Sequence, residues 1–410
     1  MNLIGLIILI TLVFDFLVHL VADFLNLKQL SPNLPEEFKG YYDQEKYQQS
    51  QKYLKTNTKF NWLISFFGMG AILFLWFGKI FSSLDVIVRS WNFSPIITGL
   101  IYMGILVLGR SLISLPFDLY STFVIEERYG FNKTTWKTYL LDLIKGTILT
   151  IIIGGLVASG ILYFFGYAGE RAWLYCWIAM TLFMLIMHYL VPVWIMPLFN
   201  KFTPLEEGEL REAILSYARS IKFPLDNIFI MDGSKRSKKS NAFFTGFGNH
   251  KRIVLFDTLV EQHSTSELVA ILAHEMGHYQ KKHILQGMIV GILQVGLMLF
   301  LLSFFINYQG LFEAFYLEQK SVYAGLIFFA MLYAPIDFIL NIFLNILSRH
   351  NEYQADKFSM ETTQDSQSLA EALKKLSTNN LSNLTPHPFY SFLNYSHPPI
   401  LERLKYLKVK

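Results

Sequence analysis

The sequence predicts a mainly α-helical, polytopic membrane protein of seven spans carrying a small α+β subdomain, and three observations lead there. Its 410 residues are 53% hydrophobic and only 16% charged, against about 25% charge in a typical soluble domain. Seven apolar stretches, near 3–25, 61–83, 95–117, 139–167, 173–199, 284–307 and 322–347, are long enough to cross a hydrocarbon core of about 30 Å. The residues able to do chemistry gather outside those stretches, in 200–283 and 348–410.

The first stretch begins Met1-Asn2-Leu3-Ile4 without a basic leader and contains Asp15, His19 and Asp23, so it reads as a retained span rather than a signal peptide. The connection after it holds Lys28, Lys39, Lys46, Lys52, Lys55 and Lys59, and that after the third span holds Arg128, Lys133 and Lys137. The even-numbered connections offer little beyond Arg89, Arg171 and Lys320. Basic residues resist translocation, so the odd connections and the C-terminus are expected on the cytoplasmic side. The chain then divides into a membrane part (1–200), a cytoplasmic insert (201–283), spans six and seven (284–347) and a cytoplasmic C-terminal segment (348–410).

Within the insert, 205–222 reads as an amphipathic helix and Asn227–Asp232 as a short strand. A loop from Gly233 to Ser240 follows, then strands at Asn241–Phe247 and Arg252–Phe256 around a turn at Gly248-Asn249-His250. Ser266–Lys282 reads as a helix with Glu267 near its start.

Composition narrows the chemistry. The lone Cys176 excludes an intramolecular disulfide framework and a Cys-rich metal site. A net charge of +4 is mild, and no nucleic-acid motif accompanies it. Asp15, His19, Asp23, Arg110, Asp118, Lys145, His188 and Asp337 lie in or near spans, where ionised groups turn away from lipid. Asp23 and Lys145 could equally snorkel from a span end or form a structural pair.

The run Ile271-Leu272-Ala273-His274-Glu275-Met276-Gly277-His278 sets two imidazoles four residues apart, on one face of a helix, where both can bind one zinc ion. Glu275 then reaches a metal-activated water as general base. After span seven, Arg349-His350-Asn351-Glu352-Tyr353-Gln354-Ala355-Asp356 reads as helical and falls on the same side. Glu352 can complete a His2Glu set, leaving the open position of a catalytic zinc, and Asp356 one turn on can orient a ligand imidazole. Glu352 and Asp356 could instead form a solvated face pairing with Arg349.

With these residues in view, the chain resembles the zinc-dependent CAAX prenyl endoproteases, which combine seven spans with His-Glu-x-x-His and Glu-x-x-x-Ala-Asp motifs. The likeness extends to Leu115-Pro116-Phe117-Asp118-Leu119-Tyr120, Thr122-Phe123-Val124-Ile125-Glu126-Glu127 and Gly130-Phe131-Asn132-Lys133-Thr134. It continues through Pro197-Leu198-Phe199-Asn200-Lys201-Phe202-Thr203-Pro204-Leu205, Ser240-Asn241-Ala242-Phe243, Lys251-Arg252-Ile253-Val254-Leu255-Phe256-Asp257-Thr258-Leu259 and Ser396-His397-Pro398-Pro399. Met276 and Tyr279 depart from the Leu and Trp common in the family.

The resemblance implies a water-containing chamber enclosed by the spans and one zinc per chain. It implies an exposed strand at Asn241-Ala242 that pairs with extended substrate, and a His397 that stabilises the oxyanion. Arg403, six residues on, supports that loop or pairs with an acid. The expected activity is hydrolysis of peptide bonds in an amphiphilic substrate near the bilayer, prenylated at a C-terminal Cys if the family's activity carries over. Two rival readings stand beside it: a quality-control protease of membrane proteins with no prenyl requirement, and a transporter or receptor whose zinc is structural or absent. The C-terminal Lys405-Tyr406-Leu407-Lys408-Val409-Lys410 lacks a dilysine retrieval pattern, which leans toward a bacterial cytoplasmic membrane over the endoplasmic reticulum.

Overall fold

The computed structural model describes residues 1–247 and 250–408. Seven helices are long and apolar enough to span: Leu3–Lys28, Gln44–Phe77, Pro95–Glu126, Trp136–Tyr167, Gly169–Phe199, His283–Phe305 and Val322–Thr363. Helices are the natural outcome, because in lipid each backbone N–H and C=O must be satisfied within its own segment. Several boundaries differ from the hydropathy pattern: the second helix begins at Gln44 rather than near 61, and the third runs on to Glu126 rather than stopping near 117. The second span ends at Phe77 rather than near 83, because Lys79 adopts a left-handed conformation (φ 57°) and starts a separate helix, Ile80–Ser90. Apolar residues on both sides of that break hide it from a hydropathy window. The seventh helix does not stop near 347 but continues unbroken to Thr363, carrying the Glu352 motif on its extension.

The spans meet at one end. Trp76, Phe81, Tyr102, Phe312, Phe315, Tyr323 and Phe328 form a buried aromatic cluster there, and Trp76 Nε1 donates to Ala314 O at 2.6 Å. Cys176 is buried in the same region. Elsewhere the helices stand apart: at most 17% of any span's most apolar window is buried, and none of the fifth span's. A close-packed bundle would bury one stripe of every helix, so these spans are only loosely packed on one another. Several polar side chains within them find partners. Asp23 accepts from Trp62 Nε1 at 2.9 Å, Lys145 donates to Leu198 O at 2.7 Å, and Asp337 accepts from Gln294 and Asn341 at 3.3 and 2.9 Å.

The other end is capped by the α+β insert. Strands β1 (Phe202–Pro204), β2 (Leu225–Met231), β3 (Ala242–Phe247) and β4 (His250–Phe256) form a sheet in the order β1-β2-β4-β3. The β2–β4 pair is parallel and the outer pairs are antiparallel. β3 is therefore an edge strand. Strand β1 was missed because three residues are too few to show an alternation. The α-helices are Glu209–Ser220, shorter than the expected 205–222, the short Asp257–Gln262, and Thr265–Gln280. Gly248 and Asn249 of the expected turn lie outside the described residues. Ile228, Ile253 and Leu255 from the sheet pack against Ile214 and Ile271, Leu272 and Met276.

The loop before β3 fastens the insert to the spans. Arg236 donates to both Asp142 carboxylate oxygens at 2.8 and 3.0 Å and to Asn200 Oδ1 and Phe199 O at 2.7 Å. Lys239 donates to Glu126 at 2.9 Å, and Tyr53 donates to Glu126 at 2.5 Å. The C-terminal helices Ser366–Asn379, Pro388–Asn394 and Ile400–Lys408 complete the cap.

The orientation expected from the basic connections is testable on this cap. Glu207 has a side chain 94% exposed, so a Glu207→Cys protein should react with a membrane-impermeant maleimide only after cells are permeabilised. Labelling of intact cells would invert the topology.

Candidate active site

The helix Thr265–Gln280 is set by its ends. Ser264 and Glu267 form a reciprocal capping box, with Glu267 Oε2 accepting from Ser264 N at 3.0 Å and Ser264 Oγ accepting from Glu267 N at 3.4 Å. Its apolar face enters the sheet core, and His274 and His278 project from the opposite side. Lys282, left-handed at φ 61°, turns the chain directly into the sixth span.

The extension of the seventh helix packs against this one. A Cβ on Gly277 would stand 3.2 Å from Ala355 Cα and 3.1 Å from Phe358, so glycine permits the close approach, and Ser359 Oγ donates across it to Ala270 O at 2.9 Å. That approach puts Glu352 opposite the imidazoles. His274 Nε2 lies 3.2 Å from His278 Nε2 and 3.4 Å from Glu352 Oε2, while His278 Nε2 lies 3.2 Å from Glu352 Oε1. All three donor atoms fall within 4.8 Å of one another.

A cation fits this set. Asp356 Oδ1 accepts from His274 Nδ1 at 2.9 Å, which leaves the Nε2 lone pair aimed at the shared centre. Glu352 Oε2 is buried and accepts no hydrogen bond among the described residues. Burial would lower the basicity of His274, but Asp356 and Glu352 outweigh it and raise its pKa to about 9. The carboxylates thus create a demand for positive charge where the nitrogens converge. Two imidazoles and a carboxylate are the donor types of a three-ligand catalytic site.

A second ring holds the first. Arg403, buried, donates to both oxygens of Asp356 at 2.9 and 2.6 Å and stands 3.4 Å from Glu352. His397 Nε2 lies 3.3 Å from Glu352 Oε1, on a side chain 64% exposed. Arg349 and Asn345 place its loop by donating to carbonyls of Ser391, Tyr395 and Leu393. Glu352 and Asp356 are 3% and 0% exposed, so the solvated face paired with Arg349 is not what forms.

Glu275, on the same helix, lines a cavity of about 480 Å³ together with His278, Phe243, Phe244, Ile284 and Leu347. Burial pushes its carboxyl above the ordinary range, against the His274 and His278 charges that lower it. Asn241 and Ala242 do not line this cavity; the next two residues of the strand do. Asn241 is exposed just before β3, and its side chain accepts from Ala242 N at 2.9 Å.

Sequence reasoning missed His283 and Gln354. His283 Nδ1 lies 3.1 Å from His278 Nδ1, and its Nε2 lies 3.1 Å from Gln354 Oε1. His283 follows His278 by five residues, a spacing that straddles the turn between two helices and so shows no helical signal. The role of Gly277 was equally silent, since a glycine inside a helix marks close approach only when the neighbour is known.

Gly277 supplies a direct check on the helix contact. At an exposed helical site Gly→Ala stabilises by about 1 kcal/mol; here the added methyl meets Ala355 and Phe358, and overpacking costs about 1–3 kcal/mol. Gly277→Ala should lower both the thermal midpoint and metal retention, and a raised midpoint with unchanged metal content would contradict the tight contact.

Comparison with known proteins agrees with this geometry. Residues 23–201 match the family described as CAAX prenyl protease N-terminal, five membrane helices, and residues 204–410 match Peptidase family M48. The chain is 37% identical to the CAAX prenyl protease 1 homolog of Arabidopsis thaliana, over 96% of this chain and 95% of that protein. It is 36% identical to CAAX prenyl protease 1 of Saccharomyces cerevisiae, over 90% and 87%, and 33% identical to the Homo sapiens homolog, over 97% and 94%. The crystal structure of Ste24p from S. mikatae superposes with a TM-score of 0.91 at 34% identity, covering 99% of both chains.

These relatives are eukaryotic, so the lean toward a bacterial membrane loses its support. A retrieval signal is an address read by a receptor and is not required by the fold. Val409 and Lys410, on which that reading partly rested, lie outside the described residues. Neither the transporter nor the quality-control reading is favoured. Matches along nearly the whole chain and a metal-ready donor set on the motif residues lead to one conclusion: the chain belongs to the CAAX prenyl protease group of Peptidase family M48 and is an integral membrane metalloprotease.

Proposed function

We propose that the chain is a zinc endopeptidase that cleaves near the C-terminus of prenylated proteins, with His274, His278 and Glu352 as the ligands of one zinc ion. The observation that carries this reading is the convergence of three donor atoms within 4.8 Å beside Glu275, at the wall of a partly apolar cavity. Zinc, when bound there, lowers the pKa of water toward about 7 and polarises the scissile carbonyl.

The remaining steps belong to the chain. Glu275 takes the proton of the attacking water and returns it to the leaving amine nitrogen. Ser396 Oγ lies 3.0 Å from His397 Nδ1; with the hydroxyl donating, the ring proton sits on Nε2, ready to donate to the oxyanion. Asp356 fixes His274 with its Nε2 lone pair on the metal side, and Arg403 holds Asp356. The free edge of β3 offers backbone groups to an extended substrate entering past Asn241 and Ala242, and Phe243 and Phe244 lead into the cavity. Ile284, Val290, Leu344 and Leu347 give that cavity a surface for an apolar chain. The α+β insert and the C-terminal segment act as one catalytic cap on the cytoplasmic side, where C-terminal cysteines are prenylated.

Purified Glu275→Ala should retain zinc while cleavage of a farnesylated CAAX peptide falls by about 10²–10⁴-fold. Normal hydrolysis by that variant sinks the mechanism. In the same assay wild-type enzyme should prefer the farnesylated peptide to an unprenylated membrane protein; equal rates would remove the prenyl requirement and leave the protease.

A further inference from the structure

We propose that His283 and Gln354 are positioning residues for the His278 ligand: a directed chain of hydrogen bonds fixes the His278 tautomer and aims its Nε2 lone pair at the metal. The inference rests on the zinc-site reading above. Its geometric basis is a row of contacts that no step of the mechanism uses. His278 Nδ1 lies 3.1 Å from His283 Nδ1, His283 Nε2 lies 3.1 Å from Gln354 Oε1, and Gln354 Nε2 lies 2.8 Å from His350 Nε2. The row is built into the fold. The left-handed Lys282 reverses the chain so that His283, first residue of the sixth span and 9% exposed, folds back onto His278. Gln354 sits two residues past Glu352 on the seventh helix.

Proton counting selects one direction. A neutral imidazole has one N–H and one lone pair. If His278 binds through Nε2, its proton is on Nδ1 and must be donated to His283 Nδ1. His283 then carries its own proton on Nε2 and donates it to Gln354 Oε1. The Gln354 amide is left to donate through Nε2 to His350, which is the arrangement found. Reversing the chain flips the amide, makes Gln354 donate to His283 and makes His283 donate to His278. His278 would then carry its proton on Nε2, facing Glu352 and His274, and could bind no metal. Gln354 suits the place because it holds an acceptor and a donor on one planar group. The result ties His278 to the start of the sixth span and to the extension of the seventh, as Asp356 and Arg403 tie His274 to the C-terminal segment.

The test measures zinc affinity of the full-length detergent-solubilised protein by competition with a chelator. Loss of an outer partner of a metal-bound histidine costs about 10–100-fold in affinity. His283→Leu and Gln354→Leu should each weaken zinc by that factor, with thermal midpoints of the metal-free proteins unchanged. Gln354→Glu keeps the acceptor for His283 and should bind zinc at least as tightly as wild type. Wild-type affinity in His283→Leu overturns the proposal. So does a Gln354→Glu protein as weak as Gln354→Leu, since that would mark a role in packing. Should His283→Leu fail to fold, the two Gln354 variants decide alone. His278→Ala is the control for the underlying site: if it keeps its zinc, the ligand assignment itself fails, whereas loss there with wild-type binding in His283→Leu removes only the positioning role.

Discussion

The contact of Gly277 with Ala355 and Phe358 sets the distance between two helices, and the metal-ready site exists only at that distance. Two of the proposed ligands sit on a helix of the α+β insert and the third sits on the extension of the seventh span. Imidazole and carboxylate side chains are short, so a helix separation larger by a methyl group would pull Glu352 out of reach. The motif residues Gly277 and Ala355 are small for this packing reason, while His274, His278 and Glu352 bring three metal-ready donor atoms together. A core of Ile271, Leu272 and Met276 against the sheet holds one helix from behind, and the membrane holds the other.

Charge burial explains the second ring. Glu352 and Asp356 are both nearly inaccessible, and carboxylates out of water are costly unless paired. Arg403 meets both, from a helix that follows the His397 loop. Removing one member of a buried pair costs about 3–5 kcal/mol, which makes the last helix part of what holds Glu352 and Asp356 in place. The C-terminal segment therefore stabilises the site electrostatically while the spans position it mechanically.

Much of this was legible in the sequence because its signals are local. Seven apolar runs, a four-residue His spacing and a capping Glu267 each act within one element, and all three are found. Glu352 was legible because a second acidic helix was predicted on the same side. What stayed hidden depends on elements meeting. The helix break at Lys79 sits between apolar residues, strand β1 is three residues long, and the change from apolar to polar residues past 347 hides that the Glu352 helix continues the seventh span. The Arg236 and Lys239 fastenings join residues far apart in the chain, and His283 gains meaning only when the turn at Lys282 folds it onto His278.

The spans are packed together by aromatic rings at one end and meet the cap at the other. Under the proposed function, a substrate with an apolar attachment is held beside the bilayer while its backbone lies along β3. Everything in that account depends on Glu352 joining the two histidines across the helix contact. The zinc content of purified Glu352→Ala beside wild type tests it most directly: the account predicts one zinc per wild-type chain and loss of most of it from the variant under mild chelation, whereas full occupancy in the variant would contradict it.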